Sequence, residues 1–191
     1  MTDRPIIFSA PMVRALIDDR KTQTRRLAWG TYNGPTGESI FYRETPWVKV
    51  RPGDRLWVRE AGWWTTAKKH PGGEPMGIAA YRASYRGDRS PAGDGKWCSP
   101  IHMPRWASRI TLTVTEVRRQ RLQEISEADA IAEGMPTNGM HRDGRPATAT
   151  DAFASVWSEL HGARVWDANP EVVALTFTVA LRNIDAKKEA A

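Results

Sequence analysis

The segment Lys21–Arg26 (KTQTRR) combines residue types that can perform nucleophilic chemistry. Lys21 and Thr24 are separated by two residues, so their side chains can face each other at a turn or on one helix face. A lysine that is partly buried, or surrounded by cations such as the neighbouring arginines, has a lowered pKa and can act as a base. A threonine hydroxyl beside a neutral amine is an activated nucleophile. The same residues also suit a basic surface segment, so both interpretations stay open.

Two carboxylates stand where the chain could present them to a pocket. Glu133 lies near the end of a helix predicted over residues 126–134, and Glu60 ends a predicted strand with the sequence LWVRE. A carboxylate that faces a cavity can act as a general acid or base. The alternatives are a solvated helix residue for Glu133 and an ion pair with Arg59 or the arginine cluster for Glu60.

The sequence predicts no metal site and no cofactor. Its four histidines, at positions 70, 102, 141 and 161, show no ligand spacing, and Cys98 is the single cysteine. Cys98 and His102 alone cannot complete a site that needs three or four protein ligands. The chain also has no glycine-rich phosphate loop and no βαβ alternation, so its sequence argues against P-loop and Rossmann chemistry.

Periodicity predicts the helices and strands that must position these residues. Ser126 and Asp129 resemble a helix-capping pair, and Ser9 is a candidate cap for the first helix. The predicted helices are Pro11–Asp19, Glu127–Gly134 and Thr150–His161; the predicted strands are Pro5–Ser9, Val48–Val50, Leu56–Glu60, Ile78–Tyr81, Arg109–Val117 and Glu171–Leu181, with Arg20–Arg26 favouring an extended conformation.

The remaining long stretches are predicted as loops. Thr31–Thr45 contains Asn33, Gly34 and Pro35, which are typical of turns. Ala61–Arg105 is rich in glycine, proline and tryptophan, and its length indicates an elaborated functional insertion. This order of elements predicts the α+β class, with a mixed or antiparallel sheet that curls into a small barrel. We expect one domain over residues 1–185 and a polar tail over 186–191.

Three segments together resemble the ASCH domain of the PUA-like superfamily, in its phage-associated form. They are Leu16–Arg26 (LIDDRKTQTRR), Pro52–Glu60 (PGDRLWVRE) and Ile125–Met135 (ISEADAIAEGM), and Val172–Leu181 fits the closing strand of that domain. The resemblance spans nearly the whole chain. It implies a small β-barrel flanked by helices, with a loop-rich insertion over residues 61–105, in a fold used for the recognition of RNA and modified bases.

One branch of this superfamily removes the acetyl group from N4-acetylcytidine. Its motif Lys-Thr-x-Thr-x-Arg is matched by Lys21, Thr22, Thr24 and Arg26, and Glu133 stands where the family has a glutamate. By this resemblance Lys21 is the activating base, Thr24 the nucleophile and Glu133 the proton relay to the leaving amine. Arg26 would stabilise the oxyanion.

Charge and composition favour a nucleic-acid partner. Residues 1–110 hold 19 Lys and Arg against 10 Asp and Glu, whereas residues 111–191 hold 9 against 12. Basic surfaces attract phosphates, and bases stack on indoles. The expected ligand is a modified nucleoside or RNA, or single-stranded nucleic acid. The candidate binding residues are Arg26, Trp57, Arg59, Glu60, Trp63, Trp64, Arg105 and Arg109.

Two alternatives to the amidohydrolase stay open: an RNA- or DNA-binding module without catalysis, and a ribonuclease of the same fold. The chain has no run of about 18 apolar residues that would span a membrane. Its first residues lack the apolar core of a signal peptide. We therefore expect a cytoplasmic protein without a membrane partner.

Overall fold

The computed structural model of the 191-residue chain describes residues 1–33, 39–67, 76–85, 96–140, 144 and 146–186. Several sequence-based expectations fall outside these ranges. They concern parts of the insertion (68–75 and 86–95), the histidines at 70 and 141, and most of the polar tail (187–191).

A five-stranded mixed sheet contains the principal strands. Its order is β1 (Asp3–Ile7), β5 (Arg55–Arg59), β8 (Thr111–Arg121), β11 (Glu171–Ala180) and β2 (Gln23–Leu27). Strand β1 runs parallel to β5, whereas β5 and β8, and also β11 and β2, pair antiparallel. The continuous buried run Val172–Leu175 shows that β11 is covered on both faces, as expected for the interior of a sheet with two packed faces. The α+β class and the mixed sheet are confirmed.

Three two-stranded ribbons, four α-helices and four short 3₁₀ helices complete the described secondary structure. The ribbons pair β3 (Trp29–Asn33) with β4 (Ser39–Glu44), β6 (Gly62–Ala67) with β7 (Met76–Tyr81), and β9 (Gly139–Met140) with β10 (Pro146–Ala147). The helices are α1 (Ala10–Ile17), α2 (Glu127–Ala132), α3 (Ala149–His161) and α4 (Ala163–Asp167). None of the helices in the described ranges is long and apolar enough to cross a membrane.

The residue contacts divide the chain into two compact units. Unit 1 comprises residues 1–18, 53–113 and 179–191, and unit 2 comprises residues 19–52 and 114–178. In unit 2, Phe153 and Trp157 of α3 belong to a buried apolar cluster that also contains Leu122 and Val172. Ala130 of α2 joins this cluster, so α2 is fixed to the core through its apolar side. The carboxylates of Asp129 and Glu133 lie on a neighbouring side of α2 and at its C-terminal cap.

The sequence signals predict where α1 begins and where α2 begins and ends, although one expected capping hydrogen bond is absent. Ser126 accepts a hydrogen bond from the backbone N–H of Asp129, as predicted, and Gly134 ends α2 with a φ of 87° that favours glycine. Ser9 is the N-cap residue of α1 with an extended backbone, as predicted, but its side chain makes no capping hydrogen bond. A proline in the first turn satisfies the geometry of that helix start instead.

Three other predictions are corrected by the fold. Val48–Val50 is not a strand, because Pro46 opens a 3₁₀ helix over Pro46–Lys49 with its fixed φ. The interval Thr31–Thr45 is not all loop, since β3 and β4 occupy both of its ends. Aromatic and β-branched residues in β4 outweigh the neighbouring turn signals there. Strand β6 (GWWTTA) was not predicted, although its aromatic and threonine residues are strand formers.

Candidate active site

The backbone around Lys21 is fixed by hydrogen bonds on both sides. Lys21 forms an isolated antiparallel bridge with Glu133. The N–H of Thr22 donates to the carbonyl of Ala132 at 2.8 Å, and the N–H of Phe177 donates to the carbonyl of Thr22 at 2.9 Å. The segment that enters β2 is therefore held between the end of α2 and strand β11. Because directly opposed residues of a bridge point to the same side, the Lys21 and Glu133 side chains lie together.

The side chains of Lys21 and Glu133 form a buried ion pair. Lys21 Nζ donates to Glu133 Oε2 at 2.7 Å and to the Glu133 backbone carbonyl at 2.8 Å. Lys21 is 0% exposed and Glu133 is 3% exposed. Glu133 is the C-terminal cap residue of α2, so its carbonyl is free of a helical partner and can accept the ammonium. The structure thus brings together two of the three residues predicted to be catalytic.

Arg25 joins the same buried group from strand β2. Its Nη1 donates to Glu133 Oε1 at 3.2 Å and to Gln23 Oε1 at 2.6 Å, while its Nη2 donates to Asp129 Oδ2 at 2.7 Å. Asp129 and Glu133 are four residues apart and so share a face around α2. Arg118 Nη2 also donates to Asp129, at 2.9 Å. The result is a charged network with Glu133 at its buried end and Asp129 towards solvent.

Burial and neighbouring charges alter the proton affinities in this network. Burial lowers the pKa of the Lys21 ammonium below its usual 10.5; the Glu133 carboxylate opposes this effect, and the charges of Arg26 and Arg25 add to it. Burial opposes ionisation of Asp129, yet hydrogen bonds from Arg118 and Gln23 and the charge of Arg25 keep its carboxyl pKa below the usual 3.8. Lys21 is therefore more easily deprotonated than an exposed lysine.

Thr24, the predicted nucleophile, lies one position from Arg25 and points to the other face of β2. Its Oγ1 accepts a hydrogen bond from Arg26 Nη1 at 2.8 Å, and the residue is 1% exposed. Burial lowers the pKa of Arg26 to about 10, so its guanidinium stays charged at neutral pH. The Arg26 guanidinium lies 5.7 Å from the ring centre of Trp47. Arg26 is partly exposed and connects the buried hydroxyl with the surface.

The second threonine of the motif occupies a different environment. Thr22 is exposed and borders a cavity of about 680 Å³, which is also lined by Arg20, Ile131 and Met135. Alternation along the chain places the Thr22 side chain opposite Lys21. Thr22 therefore offers a matched comparison for Thr24.

The other predicted binding residues belong to unit 1, where most are engaged in contacts of their own. Glu60 is buried and accepts two hydrogen bonds from Arg109, so it forms an ion pair, but with a partner other than the predicted Arg59 or the arginines of residues 20–26. Arg105 pairs with Asp3 and Asp185, which fixes Asp185 near the chain end. These arginines stabilise unit 1, and their predicted contacts with phosphate or base stay predictions.

The tryptophans of unit 1 differ in exposure. Trp57 is buried, with the guanidinium of Arg59 5.3 Å from its ring centre. Trp63 and Trp64 are partly exposed in β6. A Cβ at Gly62 would come within 2.8 Å of the Trp64 ring, so glycine is required beneath that ring. Stacking of a base on any of these tryptophans stays a prediction.

The sequence did not indicate that Arg25, Gln23, Asp129 and Trp47 belong to the site: Arg25 was expected only as a cation near Lys21 and Asp129 only as half of a helix-capping pair, while Gln23 and Trp47 had no predicted role. A signal for the first three was present: the i, i+4 spacing of Asp129 and Glu133 predicts one acidic face, and alternation in β2 puts Gln23 and Arg25 on one side. Trp47 had no such signal, because its contact with Arg26 depends on the tertiary fold. Among the described residues, no three His, Cys, Asp or Glu side chains are grouped as a metal site.

The chain matches no protein-family model, no curated protein and no solved structure. Interpretation of the site therefore depends on its own residues. What they provide is a buried lysine–glutamate pair, a buried threonine hydroxyl hydrogen-bonded to an arginine, and a second arginine that joins two carboxylates.

Proposed function

We propose that this chain is an amidohydrolase of the ASCH type, with a closed PUA-like barrel, that removes the acyl group from N4-acetylcytidine or a related modified nucleoside, free or in RNA. Thr24 is the nucleophile, Lys21 the base and Glu133 the acid. The observation that carries the proposal is the fully buried Lys21–Glu133 pair, joined at 2.7 Å.

The ion pair can supply a base and an acid by one proton transfer. If the proton on Lys21 Nζ passes to Glu133 Oε2 along their hydrogen bond, an amine and a carboxylic acid result. Burial favours these neutral forms over the charged ones, in accord with the lowered pKa of Lys21. The neutral amine is the base that accepts the proton of Thr24 once substrate binding brings the two groups into contact.

Acyl transfer follows from these protonation states. Thr24 Oγ1 forms a bond to the acyl carbon and gives its proton to Lys21 Nζ. Alternation along the segment places these two side chains on opposite faces, so this step requires the segment to rearrange when substrate binds and to bring Thr24 Oγ1 within reach of Lys21 Nζ. Arg26 Nη1, which already donates to Oγ1, stabilises the negative charge that develops next to it. The bond between the acyl carbon and N4 breaks, Glu133 gives its proton to N4, and cytidine leaves. Water then attacks the acyl-threonine ester, which releases the carboxylic acid and restores Thr24.

Burial of Thr24 defines how a substrate must enter. Because the residue is 1% exposed and its hydroxyl is held by Arg26, the acyl group has to displace this guanidinium partly. Arg26 is itself partly exposed, and its aromatic neighbour Trp47 offers a surface for a planar base once the guanidinium moves.

The decisive experiment is incubation of the purified chain with N4-acetylcytidine, with cytidine followed by chromatography. We expect turnover by the wild type and a loss of at least about 100-fold in Thr24→Ala and in Lys21→Met, the range for removal of a nucleophile or general base. Thr22→Ala is the control, because it removes an exposed hydroxyl two residues away, and it should keep wild-type turnover.

Absence of turnover by the folded wild type would overturn the proposal. Salt-sensitive RNA binding without turnover would then favour the non-catalytic module. Shortening of a labelled RNA would favour the ribonuclease.

A further inference from the structure

Arg25 is buried in the charged network, although the proposed reaction does not use it. Its side chain is 0% exposed and its guanidinium contacts Glu133, Asp129 and Gln23. The guanidinium also lies 5.8 Å from the ring centre of Phe153, a residue of the apolar cluster in unit 2. A planar group bonded along its edge and packed on its face has little freedom to move.

The Glu133 carboxylate is held at both oxygens. Arg25 Nη1 donates to Oε1 and Lys21 Nζ donates to Oε2. This arrangement reserves Oε2 as the oxygen that exchanges a proton with Lys21, because Oε1 faces a cation that does not release its proton. The orientation of the carboxylate thus depends on Arg25.

Asp129 supports Arg25 on the side away from Glu133. Its carboxylate accepts from Arg25 Nη2, and also from Gln23 Nε2 at 3.2 Å and from Arg118. Arg25 therefore divides its charge between two carboxylates that lie one helical turn apart. A change at Asp129 alters how much of that charge acts on Glu133 and Lys21.

We propose that Arg25 is a positioning residue that orients the Glu133 carboxylate towards Lys21, and that Asp129 regulates this action by sharing the Arg25 guanidinium. The expected effect on catalysis rests on the proposed function. The expected effect on the pKa of Lys21 can be measured without a substrate.

Substitutions at the two positions should shift the proton affinity of Lys21 in opposite directions. The charged groups that act on Lys21 are Glu133 from α2, and Arg26 and Arg25 from β2. Arg25→Gln removes a nearby cation, so the pKa of Lys21 should rise. Asp129→Asn removes an anion and leaves Arg25 to act on Glu133 and Lys21 alone, so the pKa of Lys21 should fall. If the two substitutions acted only through lost packing, they would not shift the pKa of Lys21 in opposite directions.

The first experiment follows the Lys21 side chain by NMR in protein labelled with ¹³C at lysine Cε, with the resonance assigned by its disappearance in Lys21→Arg. The midpoint of the Lys21 titration should increase in Arg25→Gln and decrease in Asp129→Asn. Arg25→Lys keeps the charge and should leave the midpoint near that of the wild type. Equal midpoints in all variants, or shifts of the same sign, would overturn the proposal. If Arg25→Gln does not fold, the test is that the midpoint of the Lys21 titration decreases in Asp129→Asn and stays near the wild-type value in Arg25→Lys.

The second experiment measures kcat and KM with N4-acetylcytidine. Arg25→Lys lacks the forked contact with Glu133 and Asp129, so we expect kcat to fall by about 100-fold, as for a misplacement of about 1 Å, with KM unchanged. Unchanged kcat in Arg25→Lys would refute the positioning role. Absence of turnover in the wild type would instead refute the proposed function, and the titration would still decide whether Arg25 and Asp129 control Lys21.

Discussion

Replacement of the Lys21–Glu133 pair tests whether these charges are buried as the contacts indicate. Lys21→Met removes an ammonium that is 0% exposed and two of its hydrogen bonds, to Oε2 and to the carbonyl of Glu133. Breaking a buried pair costs about 3–5 kcal/mol. Because Arg25 still contacts Glu133 Oε1, we expect a loss in the free energy of unfolding at the lower limit, about 3 kcal/mol.

Replacing Glu133 should lower the free energy of unfolding by more than replacing Lys21. Glu133→Leu leaves Lys21 and Arg25 as adjacent buried cations, although Lys21 keeps the backbone carbonyl and Arg25 keeps Asp129. We expect a loss of about 4–5 kcal/mol. The double variant removes both charges and fills the space with apolar groups, so it should cost no more than Lys21→Met alone, about 3 kcal/mol.

Urea unfolding at pH 7, followed by the fluorescence of the nine tryptophans, measures these differences. The urea dependence of the unfolding free energy must stay constant across the variants for the comparison to hold. Thr22→Ala is the control and should change stability by less than about 0.5 kcal/mol. If both single variants lost less than about 1 kcal/mol and the double variant lost their sum, the pair would not be a coupled buried ion pair.

Three further outcomes follow from the same contacts. Burial lowers the pKa of Lys21, so between this lowered pKa and the usual value of 10.5 the unfolded chain binds more protons than the folded chain. The free energy of unfolding should therefore rise with pH up to about 10.5. Urea unfolding between pH 7 and 10 should show a smaller rise in Lys21→Met than in the wild type, and an equal rise in both would contradict the lowered pKa. Arg109→Met leaves the buried Glu60 carboxylate without its two guanidinium hydrogen bonds, so the free energy of unfolding in urea should fall by about 3 kcal/mol. A decrease of less than about 1 kcal/mol would show that Glu60 reaches water. Ser126→Ala removes the cap of α2 and should cost about 1 kcal/mol, and an unchanged thermal midpoint would show that the cap is dispensable.

Local signals predicted most of the regular elements. The alternation in Arg109–Val117 and the amphipathic pattern of Thr150–His161 correspond to β8 (Thr111–Arg121) and α3 (Ala149–His161) within a few residues. These patterns persist over several turns or alternations, so no single residue decides them. The errors concern short segments such as the predicted strand Val48–Val50, where Pro46 and the 3₁₀ helix it opens outweigh two valines.

The site was predictable as residue types, but not as a network. Lys21 and Glu133 were expected to act together through a family resemblance, and the structure places them in direct contact. Arg25 contacts Glu133 and Asp129 because its face of β2 is turned towards α2. The pairing of β2 with β11 sets that orientation. Such information is carried by tertiary contacts and not by local spacing. The catalytic role of Thr24 remains a prediction for the assay.

The bridge between Lys21 and Glu133 also has a consequence for biosynthesis. The two residues are 112 positions apart, and translation at about 5–20 residues per second separates their synthesis by roughly 6–22 s. During that interval Lys21 and Arg25 exist without the carboxylates of α2, and strand β2 lacks its partner β11, which is made later still. The charged centre can therefore form only after α2 has been made, and a nascent chain that has not reached β11 lacks the strand that pairs with β2.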